Sequence, residues 1–279
     1  MSEAEAKRKA AARRRIEESG DLPTLPGVVA RIMEMVDSPE TTGRQLGQEI
    51  AKDQVLSAKV LKLVNSGFYG FSQPISTIPH AVTMLGFDAV RSLVLSSSVL
   101  EMMNEALPGL WEHSLACARS ATMVAEHVQM PHPEEMSVIG LLHDLGKVIL
   151  CQSFEDDFKK VQRRIERRDC LFHVAEEGVM GINHGELGGW LLEKWTLPAK
   201  LVNPIVDHHD FRPQRDHAER TAALHLADIL CRAEGFGNGG DAKIPRLEAR
   251  ALDLLDMDMG DVRHIMDRMH AELGDIPRG

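Results

Sequence analysis

His143 and Asp144 stand side by side at the end of an apolar run, in the stretch GLLHDLGKVIL at residues 140–150. An imidazole beside a carboxylate, with Gly146 and Lys147 just beyond, is a poor way to fill a core and a good way to hold a metal ion. Neighbouring helical positions diverge by about 100°, so both side chains reach one ion placed near the axis of a helix end. The alternative is a helix C-cap, in which His143 bonds the last free carbonyls. The choice turns on whether the rest of the chain supplies further ligands.

Thirteen histidines set the background. His113, His143, His184, His208 and His209 fall near predicted helix ends, beside Gly, Asp or another His, and Asp144 and Asp228 add two carboxylates. His127, His132, His173, His217, His225, His264 and His270 show no such pattern, and His80 reads as a surface or capping residue. Helix ends in a bundle converge on one cavity and deliver ligands to it from several segments. Imidazoles and carboxylates without thiolates suit borderline divalent metals: Fe, Mn, Zn, Ni or Co. Asp144 has two oxygens and can bridge two ions, and a pair about 3.5–4 Å apart lowers the pKa of a bridging water and clamps a phosphoryl group. Lys147, one turn beyond, is expected to neutralise a phosphate oxygen or steady a leaving group, so Asp144 and Lys147 are the catalytic candidates.

The elements that must position these residues are all helical, and no convincing strand pattern occurs. Residues 1–21 form a charged leader (Lys7, Arg8, Lys9, Arg13, Arg14, Arg15) with almost no apolar face, read as solvated or frayed. Thr24 before Pro26 starts a helix that Asp37-Ser38-Pro39 ends, and Thr42 can cap the next. Val55 to Val64 mark a third, stopping at Asn65-Ser66-Gly67. Gly67-Phe68-Tyr69-Gly70-Phe71 and Pro74 precede a restart at Thr77-Ile78-Pro79, which Gly86 breaks. Residues 104–110 make a junction between a helical subdomain at 22–105 and one at 106–279 that carries the candidate ligands. There the spacing predicts helices over 111–128, 134–142, 154–169, onward to Glu176, from His184 to Trp195, and over 218–233. Residues 235–240 read as a flexible break, followed by two more helices whose Met257, Met259, Met266 and Met269 read as core packing.

Composition narrows the function. At 279 residues and 43% hydrophobic the chain has ample core, while 42 acidic against 32 basic side chains, a net charge of −10, argue against general affinity for nucleic acid. Cys117, Cys151, Cys170 and Cys231 form no CxxC pair and read as reduced thiols. With neither an apolar span nor a signal segment, the expected location is the cytoplasm, away from the membrane.

The motif HDLGK, with His113 before it and His184, His208-His209 and Asp228 after it, resembles the H…HD…H…HH…D pattern of HD-superfamily phosphohydrolases. From about Leu22 to Gly235 the chain resembles one branch, the HDOD domain of bacterial signalling proteins. LPTLPGVVARIMEMV, IAKDQVLSAKVLKLVNSGFYG, ISTIPHAVTMLGFDAVRSLVL, WEHSLACA, LLHDLGKVIL, HGELGGWLLEKWTLP and VDHH match its landmarks in order. The resemblance implies an N-terminal helical bundle packed on an HD-type helical subdomain. It also implies one metal held by His113, His143, Asp144 and Asp228, a second by Asp144, His184 and His208, His209 nearby, and Lys147 facing substrate. The Gly-Tyr-Pro signature of cyclic-dinucleotide phosphodiesterases is absent after His209, which argues against cyclic di-GMP cleavage. Gly109 stands where members with three metals carry Glu. The expectation is a signalling module with a retained site for divalent metals and a protein partner; the alternative is a metal-dependent phosphohydrolase acting on a nucleotide or other phosphoester.

Overall fold

The computed structural model describes residues 3–18, 27–38, 40–65, 75–274 and 276–278. The expected start at Thr24 and Pro26, Pro39, the Ser66-Gly67 stop, the aromatic segment at 67–71 and Pro74 lie outside them. Among the described residues there are helices and no strand; isolated bridges join Phe236 and Gly237 to Arg278.

The N-terminal group comprises α1 (Glu3–Glu18), α2 (Gly27–Asp37), α3 (Gly43–Ala51), α4 (Gln54–Val64) and α5 (Ile78–Ala106). Thr42 starts α3 through a capping box, its Oγ1 accepting from the Gln45 N–H while Gln45 Oε1 accepts from the Thr42 N–H. Thr77 caps α5 in the same position, with Pro79 in the first turn. Gly86 breaks α5 at φ 82° and ψ 176°, a region essentially closed to residues with a Cβ. The two arms there are bent by 120°. α5 packs on α2, α3 and α4 and also on α6, α7 and α8 of the second half of the chain.

That half begins at Gly109 and comprises α6 (Leu110–His127), α7 (Glu135–Leu142), α8 (Leu145–Ser153), α9 (Glu155–Arg168), α10 (Phe172–Met180), α11 (His184–Lys194), α12 (Ala199–Val206), α13 (Ala218–Ala233), α14 (Ala249–Leu255) and α15 (Met259–Glu272). α8 has no counterpart in the sequence reading, which ended its helix at His143. α6 packs on α7 and α13, α8 on α11, and α12 on α7, α11 and α13, so the first turns of some helices and the last turns of others meet at one centre. The apolar core is continuous from Val29 to Leu273. Met257 and Met269 belong to it and Met266 packs against it, but Met259 is 63% exposed.

The leader is a helix laid on the surface of α9, α10 and α11. Ala12 is buried, Arg8 donates to the Gly178 carbonyl, Lys9 pairs with Glu186, and Arg15 pairs with Asp157 at 3.0 Å. Arg15 also lies over Phe154 and Arg13 over Trp190. Such exposed pairs contribute on the order of 0–1 kcal/mol each. Their number, more than their strength, replaces the frayed leader with a docked one.

Candidate metal centre

His143 performs both tasks that its position suggested. Its Nδ1 donates to the carbonyl of Gly140 at 2.7 Å, capping α7, and its Nε2 faces inward, buried and without a hydrogen-bond partner. His208 repeats the arrangement at the end of α12: Nδ1 donates to Ile205 O at 2.6 Å and Nε2 is again buried and unpartnered. A carbonyl oxygen only accepts, so the proton sits on Nδ1 in both rings and the Nε2 lone pair is left for a ligand. His184, at the start of α11, places its backbone N–H and Nδ1 on the Glu176 carboxylate at 3.0 and 2.6 Å, turning its Nε2 to the same centre.

The two aspartates close the cluster. Asp144, between α7 and α8, holds Oδ1 3.0 Å from His184 Nε2 and Oδ2 3.4 Å from His143 Nε2 and 3.6 Å from His113 Nε2. Asp228, from α13, sets Oδ1 3.1 Å from His113 Nε2 and 3.9 Å from His143 Nε2. Asp144 comes so near His184 because α8 and α11 touch backbone to backbone: a Cβ on Gly146 would lie 1.9 Å from the His184 carbonyl oxygen. His209 reaches His184, Nε2 to Nε2 at 2.8 Å, and stacks on His173 with ring centroids 4.1 Å apart.

These separations fit metal ligation. Ligand atoms about 2.0–2.2 Å from a common ion stand roughly 3.0–3.5 Å from one another. Donor atoms from His143, Asp144 and His208, from His184, His208 and His209, and from His113, Cys117, His143 and Asp228 each fall within 4.8 Å of one another. Asp144 Oδ1 and Asp228 Oδ1 join the two imidazole nitrogens as buried atoms without a hydrogen bond. Leaving such an atom unsatisfied costs about 1–3 kcal/mol, and a cation at the centre would satisfy all four.

The charges favour the same outcome. Burial, helped by their neighbours, pushes His208 and His209 well below the ordinary histidine value, and burial lowers His143 as well, the direction that favours the neutral imidazole a ligand presents. Burial pulls His184 down, but the Glu176 and Asp144 carboxylates together leave the group raised. Burial would raise Asp144 and Asp228; instead His143 and Lys147 hold the first well below the usual carboxylate range, and His113 and Arg232 hold down the second.

All seven expected ligand residues therefore gather here. Lys147 does too, but its Nζ is spent: it donates to Asp144 Oδ2 and to the Gly239 carbonyl, both at 2.7 Å, lies over Phe172, and is 1% exposed. The stretch read as a flexible break supplies that carbonyl, and it is pinned by Asn238 N–H to Gly109 O and, just beyond, by Arg232 to Asp241. His225 turns away, bonding the His208 carbonyl and the Glu248 N–H. Glu176, His173 and Gly239 went unseen in the sequence, since no spacing rule ties them to the motif. Cys117, which the sequence reading left out of the cluster, stands one turn after His113 on the same helix and within 4.8 Å of the donor atoms of His113, His143 and Asp228. Burial first, then Cys231 and the nearby carboxylates, raise its thiol well above the ordinary value.

A cavity of about 600 Å³ opens beside His209 and His173, with Glu177, Glu186, Asp207, Asp210, Arg212 and Arg215 in its wall. Arg212 pairs with Asp210, and Arg215 lies 3.8 Å from Asp207. Among the described residues no single helix is long and apolar enough to cross a membrane.

An all-helical fold that turns its helix ends onto one buried cluster of histidines and aspartates defines the class. Within it, the chain belongs to the HDOD domain family, whose profile matches residues 22–211. The match stops before Asp228. The chain is similar to the solved structure of an HDOD domain protein of unknown function from Geobacter sulfurreducens, with 28% identity, a TM-score of 0.79, and coverage of 97% of this chain and 96% of that one. A structure named as a candidate phosphohydrolase from Shewanella amazonensis shares the fold at 22% identity and a TM-score of 0.74, covering 96% and 98%. An uncharacterised protein of Treponema pallidum is 26% identical over 194 residues, 68% of this chain but only 38% of its own length.

Proposed function

We propose that the chain is a signalling module that holds divalent metal in the His/Asp cluster and acts through a protein partner rather than through phosphoester turnover. The observation that carries this reading is Lys147. The cation that the motif places beside the cluster is buried, bonded to Asp144 and to a backbone carbonyl, and so unavailable to a substrate. The cavity wall offers little in its place, since four acids accompany two arginines that are already near them.

His113, His143, Asp144 and Asp228 would hold one ion; Asp144, His184 and His208 would hold a second, with His209 at its edge. Bound divalent ions of this kind lower the pKa of water and polarise phosphoryl oxygens. Glu176 and the carbonyls of Gly140 and Ile205 hold the three imidazoles in the tautomer a cation needs. Lys147 balances Asp144 within the closed interior.

A second reading, a metal-dependent phosphohydrolase, is favoured by the cavity that reaches His209. Metal analysis of the purified chain, followed by an assay on a generic phosphodiester and on cyclic dinucleotides with Asp144→Ala as control, separates the two. The expected result is bound metal with no turnover above the Asp144→Ala level. Turnover abolished by that substitution would establish the hydrolase instead, and failure to take up metal on reconstitution would end both readings.

A further inference from the structure

We propose that Cys117 is a further, sulfur ligand of the ion held by His113, His143, Asp144 and Asp228, which makes this end of the cluster selective for Zn²⁺ or Co²⁺ over Mn²⁺ or Mg²⁺. The inference rests on the metal-holding reading above and deepens it.

Cys117 follows His113 by four residues on α6, so both lie on one face. Its Sγ is 3.6 Å from His113 Nε2 and 4.0 Å from Nδ1, beside the ring, so the thiol has to turn toward the Nε2 side to share an ion with it; both residues are fully buried. With a metal–sulfur distance of about 2.3 Å and a metal–nitrogen distance of about 2.0–2.1 Å, sulfur and nitrogen donors on one ion stand about 3.1–3.6 Å apart for angles of about 90–110°. The other half of the set supplies an independent pointer. His143 Nε2 and Asp228 Oδ1 are buried, unpartnered, and directed into the space this thiol borders. A structural cysteine behaves as a small hydrophobe among apolar neighbours, whereas Cys117 faces an imidazole and belongs to a donor group drawn from two helices and the end of a third. Cys231, on α13, also lies against the Cys117 thiol, and its own Sγ reaches Ser120 Oγ. As the sulfur–metal bond forms, the Cys117 proton leaves to solvent. Thiolate is a soft donor and discriminates against the hard ions that carboxylate and water accept.

The test is a titration of the metal-free full chain with Co²⁺. Visible d–d bands should appear together with a near-ultraviolet sulfur-to-cobalt charge-transfer band. Cys117→Ser should keep the first and lose the second, with Zn²⁺ affinity falling at least about tenfold and Mn²⁺ affinity falling less. Cys231→Ser should keep both bands. X-ray absorption on the zinc-loaded wild-type chain needs no variant and should find one sulfur at about 2.3 Å. A cobalt spectrum lacking charge transfer, a band that survives Cys117→Ser, or a zinc shell of nitrogen and oxygen alone would overturn the role of Cys117 while leaving the metal reading intact. No uptake of cobalt or zinc would overturn both.

Discussion

Each histidine of the cluster with a fixed tautomer uses one nitrogen for the scaffold and the other for the centre. For His143 and His208 the scaffold partner is a carbonyl three residues back, which any helix end offers. For His184 it is Glu176, fully buried, with Oε1 unpartnered. That carboxylate has no other evident purpose, and outer-shell partners of this kind typically contribute 10–100-fold to metal affinity. Glu176→Ala should therefore weaken Zn²⁺ binding by about 10–100-fold in a chelator competition, and Glu176→Gln, which keeps an acceptor, should lose less. Equal affinity in all three proteins would show that His184 is not a ligand. The imidazoles and carboxylates were legible in the sequence because their types announce the chemistry and helix ends gave them a common address. Glu176 was not, because α10 carries it to His184 through the packing of two helices, which no local pattern encodes.

The same distinction holds for elements. Helix starts and stops follow from local chemistry, so Thr42, Thr77 and Gly86 marked them correctly in advance. α8 escaped notice because Asp144 interrupts the helical course for one residue at φ −96° and ψ 5°, and the apolar residues on either side read as one run. Yet the contact between α8 and α11 sets the geometry of the centre. Gly146 and Gly188 make it possible, their backbones meeting where a Cβ would have to occupy the His184 carbonyl. Gly146→Ala must part the two helices, with an overpacking cost of about 1–3 kcal/mol and a shift of Asp144 away from His184. A lowered midpoint in urea together with weakened metal binding is the expected result. Unchanged metal affinity in a destabilised Gly146→Ala protein would mean that Asp144 and His184 do not share an ion.

Across the whole molecule, the candidate ligands come from α6, the turn between α7 and α8, α11, the turn after α12, and α13, segments spread from residue 113 to residue 228. The N-terminal helices α2, α3 and α4 supply none and meet this half chiefly through α5. An ion in the cluster would thus cross-link one half of the fold and leave the other to its own apolar contacts. Binding to the folded state alone stabilises by about 2.7 kcal/mol when free ion is at 100 times Kd. At about 2–4 °C per kcal/mol for a chain of this size class, chelation should lower the melting temperature by roughly 5–10 °C. The loss should be local before it is global, because regions open with separate free energies. Hydrogen exchange after chelation should accelerate in α11, α12 and α13, where buried donors are left unsatisfied, and remain nearly unchanged in α3 and α4. Uniform acceleration would mean that the two halves unfold as one unit; no acceleration, with an unchanged melting temperature, would mean that the cluster holds no stabilising ion and that its unpartnered atoms are satisfied by water.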